Sequence, residues 1–440
     1  MKVQRRQLAR GTALVLASTL LFAGCAKGSQ SADAAGEGAE GDAIALTFHT
    51  WIPTQTQWPE LIAAFEKENP GISITFNREE DYDTYRTNLD NEILAGEVPD
   101  IYGIQVGSSF DDYAQYAKPV EEYGADWIGK IQEPAKKETT TADGVLAGVP
   151  VLMSSQEFYL YNKTLMDELG ISLPTNYEEL VAASRTATDA GYSPFAMGAA
   201  DSWHDVDFFV WLSNQYGDGG DIYKAAAGEI PWSSPSLVSA ATAWQKLFSD
   251  GVFQKAALTT TTYPSARDDF FLARKAIAMP TGSWHVGMSM VGPDQEQPGS
   301  AAEKDEIGMA VFPTLGEKDA GVTTGVDFAL ALSDELEGEE LEAAAKFAEF
   351  LATGTGQQLW VNTLQGFPAS TEVSIEVGDD EPTIAKESIK LVEDAIASAT
   401  YARKLNVPGW DSLQEDLGAV LQKIAGGSDP KTELETLTRD

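Results

Sequence analysis

A single cysteine, Cys25, serves a chain of 440 residues. Without a second thiol no intramolecular disulfide, zinc finger or Cys-x-x-Cys redox motif can form, so the fold must be held by burial and hydrogen bonding. An apolar fraction of 43% can supply that burial, and the length predicts two domains or more. The pattern from Ala43 onward indicates their kind. "AIALTFHTW" (43–51) reads as a strand ending in a loop. "WPELIAAFEKENPG" (58–71) reads as a helix with Pro59 in its first turn and a stop at Asn69-Pro70-Gly71, and "ISITF" (72–76) as a second strand. Similar alternation returns at 99–104 and 156–162, a Thr175/Glu178 capping box opens a helix after 175, and further helices are predicted at 236–249, 267–275, 339–352 and 412–425. This is the signature of an α/β chain with parallel sheets.

The position of Cys25 carries a second message. Residues 1–24 hold Lys2, Arg5, Arg6 and Arg10, then an apolar run from Thr12 to Ala23, and the cysteine follows small residues, which reads as an export signal peptide. "FAGC" (22–25) resembles a lipobox, with Phe22 where Leu is more usual, and implies a lipidated Cys25. Arg5-Arg6 also fits a twin-arginine signal, with the general secretory route as the default. Residues 25–42 lack large apolar side chains and are expected to form a lipidated flexible tether with a reach of roughly 20–25 Å. No later window approaches the roughly 18 apolar residues of a membrane span. The expected location is therefore the extracytoplasmic face of the cell membrane, through the lipid alone.

The formal net charge is −38, and cleavage before Cys25 removes four basic residues and no acidic one, leaving −42. Such a surface repels nucleic acid and anionic lipid at long range, so neither is an expected partner.

Three blocks stand out in order: "AGEVPDIYGI" (95–104), "GVPVLMSSQEFYLYNKTLMDELGISLPTNYEEL" (148–180) and "FFLARKAIAMPTGSW" (270–284). Together they resemble family 1 extracellular solute-binding proteins, the sugar receptors of ABC importers related to maltose-binding protein, the last block with Ala273-Arg274 where the family has Gly. "NVPGW" (406–410) stands where relatives often carry a Pro-Asn segment. The resemblance implies a two-lobed α/β fold with the ligand in a cleft between lobes joined by hinge crossings. On this reading lobe one is 43–148 with 313–352, and lobe two is 149–312 with 353–440. It also implies a carbohydrate ligand, ABC permease subunits as partners, a monomer, and no cofactor or metal.

Open α/β sheets bind ligands beyond the carboxyl ends of their strands. That rule selects His49, Trp51, Asp100, Gln105, Ser155, Trp203, His204, Trp284, Asp327 and Trp410. A pyranose presents an apolar C–H face and a rim of hydroxyls, so it stacks on an indole while carboxylates and amides bind the rim. Trp51, Trp203, Trp284 and Trp410 lie in Gly/Pro/Ser-rich loops and are the candidate platforms. Trp58, Trp211, Trp244 and Trp360 fall in helical patterns and read as core. His204 beside Asp205 and Asp207 reads as a polar loop rather than a metal cluster.

Catalytic motifs are thin: three histidines, no Gly-x-Ser-x-Gly elbow, no phosphate-binding loop and no His-Glu-x-x-His. A receptor is the leading reading. The competing class is a surface glycoside hydrolase, whose carboxylate pair a sequence does not reveal, and a third reading is a receptor for a non-sugar solute such as a polyamine or ferric ion.

Overall fold

A computed structural model describes residues 43–53, 57–79, 82–107, 109–290, 297–363 and 366–438. The signal peptide, Cys25 and the tether lie outside the described residues. Among the described residues eleven strands are formed: β1 (Ile44–Thr50), β2 (Ile72–Arg78), β3 (Ile101–Ile104), β4 (Val149–Gln156), β5 (Phe158–Asn162), β6 (Ser193–Phe195), β7 (Ala276–Thr281), β8 (Ile307–Val311), β9 (Thr323–Leu332), β10 (Phe367–Pro368) and β11 (Tyr401–Ala402). They make two sheets. The larger runs β10-β4-β9-β3-β1-β2 with β11 on β9, and the smaller runs β6-β7-β5-β8.

The opening βαβ unit forms as its pattern dictates. β1 and β2 pair in parallel from Ile44↔Ile72 to Thr50↔Arg78, and the helix Trp58–Glu68 between them buries Trp58, Leu61 and Phe65. The sheets as a whole are mixed, not parallel. β9 runs antiparallel to both β3 and β4, and β5 runs antiparallel to both β7 and β8. The reason is the route of the chain: only Glu157 separates β4 in one sheet from β5 in the other, and strands entered from the other body need no crossover helix. Val149–Gln156, placed by the sequence after the first lobe, pairs with β9 of the larger sheet.

Two local details differ from expectation. The helix after Thr175 is capped by Asn176, whose side chain accepts from Glu179 N, while Thr175 bonds the Glu179 carboxylate, so the capping pair sits one residue further along. The predicted helix 267–275 spans Thr262–Leu272 and ends before Arg274, which takes φ 58°. That left-handed conformation suits the Gly that the family pattern has there. Here Arg274 is held in it by Asp305 and Glu168, each at 2.7 Å.

The core has two parts. Phe48, Trp58, Phe65, Phe328, Phe347 and Trp360 belong to the part around the larger sheet. Phe208, Trp211, Trp244, Phe253 and Phe312 belong to the part between the smaller sheet and the helices Ser202–Ser213, Pro235–Ser249 and Leu413–Ala425.

Candidate functional site

The first strands place four of the sequence-selected residues. His49, near the end of β1, lies between Glu92 (Nδ1 to Oε2, 3.0 Å) and the Asn77 amide. Trp51 follows it but is only 8% exposed, boxed by Tyr82, Tyr85 and Phe328 at centroid distances of 4.8–5.2 Å. Asp100 precedes β3, at its amino end, and accepts from Thr47 N and Oγ1 at 2.8 Å each. Its role there is to join β3 to β1. Gln105 leaves the carboxyl end of the same strand and faces a narrow gap shared with Tyr82, Arg86, Asp411 and Gln414.

A second group is drawn together from the other body. Trp203 opens the helix Ser202–Ser213, Tyr263 opens Thr262–Leu272, and Trp284 lies in the turn after β7. The Trp203 and Tyr263 rings lie 6.1 Å apart and 15° from parallel, and Trp203 and Trp284 are 6.2 Å apart. Trp284 donates its indole N–H to the Tyr263 hydroxyl at 2.8 Å. Gly282 allows this pose, since a Cβ there would lie 1.9 Å from the Trp284 ring. His204 Nδ1 is 3.0 Å from Thr262 Oγ1, and His285 Nδ1 is 2.7 Å from Thr281 Oγ1. Burial disfavours the imidazolium of both, taking His204 down to about 4 and His285 to about 3. Both are neutral rings at physiological pH.

Arg403 joins the second group to the strands β4 and β9 of the larger sheet. It follows β11, which pairs with the first residues of β9 beyond the reach of β3. Its Nε donates to Asp207 Oδ2 at 2.9 Å and its Nη1 to Asp327 Oδ1 at 2.6 Å and to Ser154 Oγ. The guanidinium carbon sits 4.6 Å from the Trp284 ring centre. Lys404 adds a contact to Asp207 at 3.0 Å. Burial alone would push the Asp207 carboxyl up, but Arg403 and Lys404 reverse this and hold it below the usual range. Ser155, at the end of β4, donates its N–H to Ser283 Oγ at 3.0 Å.

Of the ten selected residues, Trp203, His204, Trp284, Asp327 and Ser155 therefore come together around Arg403. Trp410 does not join them: it is 7% exposed, set edge-on to Trp232, with its N–H on Asp416 Oδ2 at 3.0 Å. The structure adds Arg403, Lys404, Asp207 and Tyr263, none of them among the selected residues. Asp207 has a faint signal, a carboxylate inside the apolar stretch "VDFFVWL". Arg403-Lys404 sits just upstream of the "NVPGW" segment and has none.

Two α/β bodies around separate sheets, with aromatic rings and matched charges gathered where their strands end, define a solute receptor of the two-lobed kind. The chain belongs to the bacterial extracellular solute-binding protein family, whose model matches residues 51–358. That is a family of solute-binding proteins, which sets the hydrolase reading aside. A multiple sugar-binding protein of Streptococcus mutans is 26% identical over 322 residues, 71% of each chain. Among solved structures, a protein from work on xylan utilization by Caldanaerobius polysaccharolyticus superposes with a TM-score of 0.75 at 21% identity, covering 89% of this chain and 98% of that one. A maltose-bound protein of T. maritima gives 0.70 at 17% identity, covering 89% and 97%.

Proposed function

We propose that the chain is a sugar receptor of an ABC importer, tethered through a lipid on Cys25, that captures a mono- or oligosaccharide by cleft closure and delivers it to the permease. The observation that carries this reading is the Trp203–Tyr263–Trp284 aromatic set rimmed by Asp207, Arg403 and Asp327. Indole faces take the C–H face of a pyranose, and charged rim groups take its hydroxyls. The sugar-binding relative supports the same ligand class.

We place lobe one on β1–β4 and β9–β11, and lobe two on β5–β8 with the helices Thr383–Ser398 and Leu413–Ala425. The chain then crosses between the lobes at Glu157, between Val311 and Thr323, between Pro368 and Thr383, between Ser398 and Tyr401, and between Ala402 and Leu413. A ligand touching Asp327 on one lobe and Trp284 on the other binds the closed arrangement better than the open one, and that difference in affinity drives closure.

The test is calorimetric titration with a panel of oligosaccharides, with product analysis of the same mixtures. Binding without turnover supports the receptor. Turnover, or binding confined to a polyamine or another non-sugar solute, overturns the sugar-receptor reading. Cys25→Ser should release the protein from membranes or leave it unprocessed, and a processed, membrane-bound variant argues against the lipid anchor.

A further inference from the structure

The polar side chains around Arg403 fall into two sets. The full charges are matched among themselves: Arg403 pairs with Asp207 and Asp327, and Lys404 pairs with Asp207, two cations against two carboxylates. The other set has its hydrogen-bonding capacity unspent. Ser155 Oγ and Nε2 of His204 are buried without a hydrogen-bond partner, and the Gln156 amide and the Glu157 carboxyl have at most each other. All four residues are 0% exposed. Ser155, Gln156 and Glu157 are consecutive at the passage from β4 to β5, and both Glu157 and His204 lie within the electrostatic reach of Asp207 and Arg403.

A buried polar atom left unpaired keeps the cost of losing its water, and native proteins keep few of them. Four such residues around one charge cluster mark a place where something else supplies the partners. A metal ion does not fit: among the described residues no group of three or more His, Cys, Asp or Glu is placed to hold one. What the set offers is uncharged hydrogen bonding from a hydroxyl, a carboxamide and an imidazole. Burial keeps His204 neutral and pushes the Glu157 carboxyl well above its ordinary range, toward a neutral acid that both donates and accepts. Asp205, one residue beyond His204, is likewise buried and unpartnered, and burial with Asp201 nearby pushes it up as well.

We propose that this site takes an uncharged polyhydroxylated ligand, a neutral saccharide without carboxylate, phosphate or ammonium substituents, whose hydroxyls are read by Ser155, Gln156, Glu157 and His204. The proposal rests on the carbohydrate reading above and narrows it. A sugar hydroxyl both donates and accepts, so it satisfies each member of the unpartnered set. A uronate or sugar phosphate would bring an anion to a cluster whose cations are already matched. An amino sugar would bring a cation to one whose ionised carboxylates are already matched. Either leaves a buried charge without a counter-charge.

The experiment titrates the protein against three matched sets: neutral gluco-, galacto- and xylo-oligosaccharides, their uronate counterparts, and their amino-sugar counterparts. Neutral members are expected to bind, and charged members to bind on the order of 100-fold more weakly or worse. Glu157→Gln, which keeps an uncharged hydrogen-bonding side chain, should weaken the neutral ligand about three- to tenfold, and Glu157→Leu about 100-fold. Thermal unfolding of both variants establishes that they are folded. A uronate or amino sugar binding as tightly as its neutral counterpart overturns the proposal while leaving the sugar receptor standing. So does a folded Glu157→Gln that binds no better than Glu157→Leu. If no member of any set binds and an amino acid or polyamine does, the carbohydrate reading falls and takes this proposal with it.

Discussion

Trp244 and Trp284 use their indole N–H groups almost alike, at 3.0 Å to the Leu421 carbonyl and 2.8 Å to the Tyr263 hydroxyl. Their surroundings differ. Trp244 is 0% exposed and walled by Phe208, Phe248 and Phe253, with its N–H fixed on helix backbone. Trp284 is partly buried, lies over Arg403 and near Trp203, and bonds a side-chain hydroxyl that can turn to another partner. The first environment is closed by the protein itself. The second is built from side chains that a ligand can rearrange, and that difference, rather than the hydrogen bond, separates packing from recognition.

The sharpest way to break the comparison is Trp244→Ala. Removing a wholly enclosed aromatic leaves a cavity, and the expected loss of stability is about 3–5 kcal/mol, read as a lowered denaturant midpoint, with the affinity of the folded fraction unaffected. Trp284→Ala should do the reverse. Stability should change far less, and sugar affinity should fall by about 1–3 kcal/mol, roughly 5- to 150-fold. If Trp284→Ala unfolds the protein and Trp244→Ala weakens binding, the two roles are assigned backwards. Small-angle scattering sharpens the same point, because a ligand that bridges both lobes should reduce the radius of gyration of the wild type, and less so that of Trp284→Ala at equal ligand concentration.

Why some of this was legible in the sequence and some was not follows from distance along the chain. The β1–helix–β2 unit could be read because its signals are local: alternating burial, Pro59 at the first turn and Pro70-Gly71 at the stop. Trp203, His204 and Trp284 were within reach of the sequence because each lies where one element gives way to the next, the first two in the opening turn of the helix Ser202–Ser213 and the third just after β7. The antiparallel pairing of β9 could not, since its partners β3 and β4 are remote in sequence and its direction depends on the chain's return from the other body. Arg403 was invisible for the same reason. Its acidic partners lie 196 and 76 residues away, and nothing near it marks it as buried. Loop composition put Trp51 and Trp410 beside Trp284, but composition is silent about what folds over a loop. Tyr82, Tyr85 and Phe328 close on Trp51, and Trp232 on Trp410. Asp100 was chosen for its nearness to β3 without regard to which end it occupies.

Trp410 offers the next test. Its ring is packed and its N–H is spent on Asp416, so Trp410→Phe should lose about 1.5–3 kcal/mol of stability, the range for a hydrogen bond to a charged group, and leave sugar affinity unchanged within error. A tenfold loss of affinity without destabilisation would return Trp410 to the ligand site.

The smallest expected effect concerns His285, which lies edge-on to Tyr263 and beside Trp284 with its Nδ1 on Thr281. Burial, with Arg267 and His204 adding unfavourable charge, lowers it to about 3 in the folded protein. The unfolded chain takes up that proton near pH 6.5, so between about 6.5 and about 3 the unfolded state binds more protons and stability falls as the pH falls. From pH 7 to 5.5 the contribution is about 1 kcal/mol. Buried carboxyls that are pushed up, Glu157 and Asp205 among them, work in the opposite direction, so the wild-type profile is a composite and the variant is the measurement. His285→Asn, compared with wild type at the two pH values, should flatten the acid-side loss by that amount whatever its absolute stability. An unchanged difference between pH 7 and 5.5 would mean that His285 takes up its proton in the fold as readily as in the unfolded chain, and the ring beside Trp284 would then be cationic at pH 5.5 rather than neutral.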